Sequence, residues 1–250
     1  TLGAEGTADT LSLFGTTPLW RTAQSSLAVT YGWDWRRLKD EYKAVGMELE
    51  KHSSTFRLGL KGEERQGRTA LTYDLTAYAG RVTPDSDWAR IQMRRADTEG
   101  SFTKGVLNFN LRHEISDRWN ISLKAQAQKA GANLDSSEEL YLGGASGVRA
   151  YPQGEASGDN GYLTNLELSY RTDVPNLTLS TYFDMGQVQY ANDGKDGSEM
   201  LKGWGIGVSY SRPGDYFVRL DWARRIGLPD NASEAAKAKN RLWFMVGKVW

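Results

Sequence analysis

The feature that most constrains this chain is a strict alternation of apolar with small or polar residues, sustained over segments longer than an ordinary strand. From Gly203 to Ser211, Trp204, Ile206, Val208 and Tyr210 fall on one face and Gly203, Gly205, Gly207, Ser209 and Ser211 on the other. Only an extended strand sends alternate side chains to opposite faces, so the segment cannot be a helix. From Tyr216 the same rule sets Tyr216, Val218, Leu220 and Trp222 against Phe217, Arg219, Asp221, Ala223 and Arg225. Tyr162, Thr164, Leu166, Leu168 and Tyr170 likewise oppose Leu163, Asn165, Glu167, Ser169 and Arg171. The apolar face of each begins and ends on an aromatic, the arrangement expected of a lipid-facing strand of about 9–11 residues.

Earlier segments repeat the pattern. Leu27, Val29, Tyr31, Trp33 and Trp35 share a face, as do Phe56, Leu58 and Leu60, then Leu71, Tyr73, Leu75, Ala77 and Ala79; Leu107, Phe109 and Leu111 oppose Lys104, Asn108, Asn110 and Arg112. About eleven strands follow, near 6–18, 21–38, 44–64, 69–83, 101–116, 119–131, 161–172, 176–190, 201–212, 215–226 and 240–250. No helix is demanded, and the run Ser233 to Lys239 reads as a loop with one helical turn. Short turns at Asp117-Arg118, Val174-Pro175-Asn176 and Pro213-Gly214-Asp215 alternate with long polar connectors at 84–100, 132–160, 191–200 and 228–239. That asymmetry is the second mark of an outer-membrane barrel, whose short turns face the periplasm.

A soluble sandwich would turn its apolar face inward. The other face here is rich in Gly, Ser, Asn, Lys, Arg and Glu, suited to a wet lumen, so a transmembrane antiparallel barrel is the expected fold. No run approaches the roughly 18 apolar residues of a membrane helix, a test that alternating strands evade. Lys and Arg number 31 and so do Asp and Glu, leaving no excess charge to argue for nucleic acid. There is no cysteine, and the two histidines, His52 and His113, read as strand or rim residues, so neither metal nor cofactor is expected. No paired carboxylates in a cleft, nucleophile elbow or phosphate loop points to an enzyme, and the glycines of GWGIGV, Gly203 to Val208, read as a smooth inner wall. Thr1 opens without a charged and apolar leader, so any signal peptide is expected to be removed or upstream.

The longest interior connector reads ANLDSSEELYLGGASGVRAYPQGEASGDN, Ala132 to Asn160. Its Val148, Arg149, Ala150 and Tyr151, flanked by Leu142-Gly143-Gly144 and Gly154 to Asp159, resemble the loop of the two-partner secretion transporters, the TpsB family, within the superfamily of POTRA-containing barrel assembly factors. Ala150 stands where the wider superfamily has Gly; the TpsB branch commonly reads VRAYP. A second motif, Tyr182-Phe183-Asp184-Met185-Gly186, resembles that family's aromatic-x-Asp-x-Gly strand. The resemblance runs from about Trp20 to Trp250. It implies a loop folded back into the lumen, with Arg149 reaching an acidic wall that includes Asp184 and Glu167, and with Gly186 leaving space for that approach. A guanidinium in a partly dry lumen needs a carboxylate, and a bidentate pair would fix the loop.

The resemblance further implies that residues 1–250 are the C-terminal part, about 11–12 strands, of a sixteen-stranded barrel, with POTRA domains, a plug helix and the first strands outside the chain. An odd strand count agrees, since single-chain bacterial barrels close on even numbers. Phe244, Val246 and Trp250, with Leu242, fit the aromatic-ended C-terminal barrel signal, which Lys248 interrupts. The implied function is export of a large adhesin, haemolysin or contact-dependent toxin across the bacterial outer membrane; the alternatives are a barrel assembly factor and the anchor of a surface-delivered enzyme. Expected partners are the secreted protein, outer-membrane lipid and lipopolysaccharide, and the barrel assembly machinery during insertion. Epitope tags in 84–100, 191–200 or 228–239 should be reachable on intact cells, and tags at Asp117 or Gly214 should not. The reverse pattern would invert the topology.

Overall fold

A computed structural model describes residues 4–44, 46–192 and 197–248. Eleven strands form one antiparallel sheet in chain order. They are β1 (Ala4–Arg21), β2 (Ser25–Tyr42), β3 (Met47–Gln66), β4 (Thr69–Pro84), β5 (Gly100–Glu114), β6 (Trp119–Ala130), β9 (Asn160–Arg171), β10 (Leu177–Gln189), β11 (Ser198–Ser211), β12 (Tyr216–Arg225) and β13 (Asn240–Lys248). Two short strands, β7 (Leu140–Tyr141) and β8 (Ser157–Gly158), pair as a small hairpin within the long loop between β6 and β9. The eleven expected strands are all present, with ends shifted by a few residues. Among the described residues β1 and β13 do not pair with each other, so the sheet is open along two edges.

Register carries the apolar pattern from strand to strand. Leu123, Leu166, Phe183 and Trp204 lie side by side across four strands. Leu179, Val208, Leu220 and Phe244 form a second such row. These side chains are outside: Phe56, Leu58, Ile206, Leu242 and Phe244 are 63, 61, 54, 66 and 69% exposed. A soluble sandwich would bury them, whereas a lipid-facing surface leaves them for hydrocarbon to cover. Aromatic pairs border this surface. Trp119 lies 4.8 Å from Tyr170 and Tyr210 stacks 5.9 Å from Tyr216 beside the short turns; Trp204 meets Trp222 edge-on at 5.4 Å toward the long loops.

The connectors sort by end. Residues 22–24, 67–68, 115–118, 172–176 and 212–215 turn at one end; 85–99, 131–159 and 226–239 lie at the other, where β2 also passes to β3 and β10 to β11. The first long connector contains the α-helix α1 (Asp87–Arg95), an element that the alternation does not demand. Ser86 caps it by accepting from Ala89 N–H, Asp87 sits in the first turn and Arg94 and Arg95 in the last, each complementing the helix dipole. The helix buries Ala89 and Met93, and Met93 packs with Val82, Phe102, Ala130 and Leu134. Nine residues are too few for a helical period to stand out between strands, which is why the alternation did not show it. The expected turn after Ser233 is a 3₁₀ segment, Glu234–Lys237. His52 pairs with Asp85 and His113 with Thr69, both as rim contacts.

Adjacent residues of β5 test the two faces. Leu107 lies outward between Leu75 and Ala127, while Asn108 lies inward between Asp74 and Gln126. Leu107→Arg should destabilise the folded barrel by about 2–4 kcal/mol near mid-membrane, and Asn108→Arg far less. Denaturant titration of the full-length protein in lipid vesicles measures both, and equal losses would mean that the faces are exchanged.

Candidate functional site

The loop from 131 to 159 lies on the inward face, and the largest apolar cluster of the described residues forms between it and the wall. Leu142, Val148, Ala150 and Tyr151 from the loop pack with Leu163, Tyr182, Val188, Leu201 and Ala223 from β9 to β12, and Tyr151 and Val148 are fully buried. The tip is a compact turn. Val148 N–H donates to Leu142 C=O at 2.7 Å and Gly147 N–H to Gly144 C=O at 3.1 Å. Gly144 has φ 128°, a conformation that glycine alone adopts readily. The far side of the loop is tied to the last long connector by Glu155, whose carboxylate accepts from Ser233 N–H at 2.9 Å and Ser233 Oγ at 2.6 Å.

Arg149 projects from this tip into the wall and is 6% exposed. Its Nε and Nη2 donate to the two oxygens of Asp184, each at 2.8 Å, and its backbone N–H reaches Asp184 Oδ2 at 3.1 Å. The fork therefore grips one carboxylate bidentately, the geometry in which a guanidinium offsets most of its desolvation. Its Nη1 donates to Glu167 Oε2 at 3.0 Å and lies 3.6 Å from Asp221 Oδ1. The guanidinium carbon stands 3.2 Å from the centroid of the Tyr182 ring, adding a cation–π contact. Burial works against the charge on Arg149, and the bonds from Asp184 and then Glu167 outweigh it, so the guanidinium holds its proton more tightly than usual.

Strand register explains why these groups converge. Asp184 and Asn165 are opposite one another on β10 and β9, as are Tyr182 and Glu167. All point inward because the intervening Phe183 and Leu166 point outward. The structure thus brings together Arg149, Tyr182, Asp184 and Glu167, and packs Val148, Ala150 and Tyr151 around them. Gly186 has a different part from the one expected. A Cβ there would sit 2.7 Å from Leu142 Cδ2, so the space it leaves is taken by Leu142 and not by the arginine. The Gly203 to Val208 glycines are also not a smooth wall. A Cβ on Gly203 would meet Ala150 Cβ at 2.5 Å, and one on Gly205 would meet the Tyr182 ring at 2.5 Å. They are sockets for the loop tip and for the tyrosine beneath the arginine.

Four residues of the site did not emerge from the motifs. Arg219 of β12 donates Nη2 to Glu167 Oε2 at 2.9 Å and Nε to Asp221 Oδ2 at 2.7 Å, so two arginines share three carboxylates. Asn165 Nδ2 donates to Asp184 Oδ1 at 2.8 Å and to Gly147 C=O at 2.9 Å, joining wall to loop. Trp243 of β13 donates Nε1 to the backbone C=O of Arg149 at 2.7 Å. The alternation already turned Arg219, Asp221 and Asn165 inward; nothing in the sequence signalled Trp243. Phe244 and Val246 lie on the outward face of β13, and Trp250 lies outside the described residues. Among the described residues no group of three or more His, Cys, Asp or Glu side chains is arranged to hold a metal ion, and the three carboxylates here are taken by the two arginines.

A family model described as haemolysin secretion/activation protein ShlB/FhaC/HecB matches residues 1–210. The heme/hemopexin transporter protein HuxB of Haemophilus influenzae is 25% identical over 261 residues, an alignment covering all of this chain and 45% of HuxB. Among solved structures, CdiB from Escherichia coli superposes with a TM-score of 0.81 at 21% identity over 97% of this chain and 45% of CdiB. CdiB from Acinetobacter baumannii gives 0.74 at 19% identity over 97% of this chain and 42% of that protein. The chain thus spans somewhat less than half the length of these relatives, and the two structures show the fold it shares with them. With a family match extending over most of its length, the chain belongs to the haemolysin secretion/activation family of ShlB, FhaC and HecB, integral β-barrel proteins of the bacterial outer membrane.

Proposed function

We propose that the chain is the C-terminal part of an outer-membrane translocation pore that exports a large partner protein by two-partner secretion, and that residues 132–160 are its lumenal gate element. The observation that carries the reading is the loop tip fastened inside the wall by Arg149, on a chain of the secretion family. The open edges of β1 and β13 support a parent barrel in which further strands complete the wall, since an unpaired strand edge in hydrocarbon leaves its N–H and C=O groups without partners. Transport of this kind needs no bond-making residue. It needs an apolar surface against outer-membrane lipid and lipopolysaccharide, a C-terminal strand of the type carrying Phe244, Val246 and Trp250 for the barrel assembly machinery to read, and a lumenal obstacle that is fixed at rest yet displaceable.

The arginine cluster meets the last requirement. Each of its contacts to the wall uses a wall side chain, meeting the guanidinium, the Arg149 N–H or the carbonyls of Arg149 and Gly147, so the tip can leave without unpairing a single strand. When it does, the wall keeps Arg219 against Glu167 and Asp221, and Asp184 keeps Asn165, so the vacated site stays partly neutralised. An unfolded chain moving outward would then meet a polar lumen.

The contact predicts an asymmetric pair of mutants. Arg149→Ala removes every side-chain bond at once, whereas Asp184→Ala leaves the guanidinium with Glu167, so secretion should fall further in the first. Each charge-assisted bond contributes on the order of 1.5–3 kcal/mol, small beside the stability of a closed barrel, so both full-length variants should still insert. The double variant should secrete little worse than Arg149→Ala, the non-additivity of groups sharing one contact. Secretion of the cognate partner, measured at matched membrane levels in all four proteins, checks this. Normal export from Arg149→Ala, or strictly additive losses, would remove the gate assignment.

A packing prediction accompanies it. Gly203→Leu would fill the socket occupied by Ala150 without touching any charge. It should displace the tip and lower secretion as Arg149→Ala does, whereas Gly105→Leu, where an added Cβ meets nothing within 4 Å, should leave secretion unchanged. Equal behaviour of the two variants would argue against the socket.

A further inference from the structure

The tip is not the loop's only attachment. Thirteen residues before Arg149 in sequence, the loop begins a 3₁₀ turn, Ser136–Glu138, capped by Asp135, whose Oδ1 accepts from Ser137 N–H at 3.0 Å and Ser137 Oγ at 2.7 Å. The same Asp135 takes Lys51 of β3, with Nζ 2.9 Å from both carboxylate oxygens and the two side chains 12% and 6% exposed. Glu138, 3% exposed, receives Arg36 Nη2 of β2 at 2.7 Å and Lys104 Nζ of β5 at 3.0 Å. Lys104 also donates to Glu138 C=O at 2.6 Å, and Gln128 Nε2 of β6 donates to that carbonyl at 3.2 Å. Burial alone would raise the Asp135 carboxyl; Lys51 and the two Ser137 bonds more than offset it and hold it below the usual carboxylate range.

Two properties set this stem contact apart from the tip. First, it uses the opposite flank of the sheet, β2, β3, β5 and β6, where the tip uses β9 to β13, and the two share no side chain. Ten strand spacings of about 4.8 Å would make a flat sheet roughly 48 Å wide, so a single loop that touches both flanks braces a curled wall across its concave side. Second, its polarity is reversed. At the tip the loop carries the cation and the wall the carboxylates; at the stem the loop carries two carboxylates and the wall three cations. Placing either part of the loop on the other's site would set like charges face to face in a partly dry lumen, so the two contacts fix one orientation and penalise the reverse.

We propose that Lys51, Arg36 and Lys104 are positioning residues that, with Asp135 and Glu138, form a second anchor on which the loop pivots when its tip releases. This deepens the pore reading above and rests on it. Release at the tip alone then swings the loop aside without freeing it, and resetting needs only the tip to find Asp184 again.

The test uses the full-length protein in planar lipid bilayers, with heat-modifiable mobility reporting that each variant is folded and inserted. Lys51→Asp and Asp135→Lys should each raise the fraction of time spent conducting by roughly tenfold or more, because a released tip no longer tethered beside Asp184 finds it again at a lower effective concentration. The exchanged pair, Lys51→Asp with Asp135→Lys, should restore wild-type gating, which a merely destabilised barrel would not do. Asp135→Asn, which keeps shape and caps the turn, supplies the comparison if a reversed charge prevents insertion, and should shift gating the same way by less. Combined with Arg149→Ala, Lys51→Ala should multiply the two fold-changes, because the anchors are independent. Wild-type gating in inserted Lys51→Asp or Asp135→Asn, or an exchanged pair no better than the singles, would overturn the second anchor. A wild-type protein that never conducts would instead overturn the pore reading itself.

Discussion

Every backbone N–H and C=O that enters hydrocarbon has to find its partner within the protein, and that requirement orders everything else here. It turns a chain of mean hydropathy −0.58 into a sheet whose strands run up to 20 residues and pair in strict sequence order. Once backbone pairing sets the period at two, half the side chains are committed to lipid and half to the interior. Trp204, Ile206 and Leu220 have no choice of surroundings once Gly203, Gly207 and Asp221 are placed. Among the described residues, the edges β1 and β13 are where the requirement is unmet.

The same commitment inverts the usual location of a core. The outward apolar residues pack against no other layer of the protein, so the buried clusters form on the polar face, where a loop supplies the second layer. Leu163, Val188 and Leu201 are inward-pointing apolar residues that a wet lumen would not explain; Leu142, Val148 and Tyr151 cover them. Inserting charge into that setting is costly unless each group is met. The two arginines and three carboxylates around Arg149 meet one another almost completely, and Asn165 and Trp243 take up the remaining acceptors at the seam. A loop of nearly thirty residues is thus held by apolar contact and a cation at its tip and by carboxylates at its stem.

How far the sequence exposed this follows from the range of each interaction. Strands were legible because alternation is local: Tyr162 to Arg171 states its two faces with no knowledge of its neighbours. The membrane setting followed from which face was apolar, and the loop and strand motifs singled out Arg149 and Asp184. Helix α1 was hidden because its signals, the Ser86 cap and terminal charges, occupy a few residues in a loop. The part played by Gly186 was hidden for another reason. A glycine in a strand says that something approaches closely, and only packing shows that the visitor is Leu142. Trp243 and the Lys51, Arg36 and Lys104 cluster lay beyond reach because their partners are separated from them by 94, 84, 102 and 34 positions. Register across several strands, then loop conformation, has to be known before such pairs meet.

The seat of Ala150 against Gly203 has an implication for how this surface can vary. The added carbon on Gly203 would lie 2.5 Å from Ala150 Cβ but 3.7 Å from its Cα, with Arg224 C=O at 3.2 Å as the next neighbour. The seam therefore holds one methyl and not two, and is indifferent to which backbone contributes it. A chain with glycine at position 150 could carry alanine at 203 and keep the same separation between loop and wall. The two sites are complementary halves of one volume, and they can be exchanged only together.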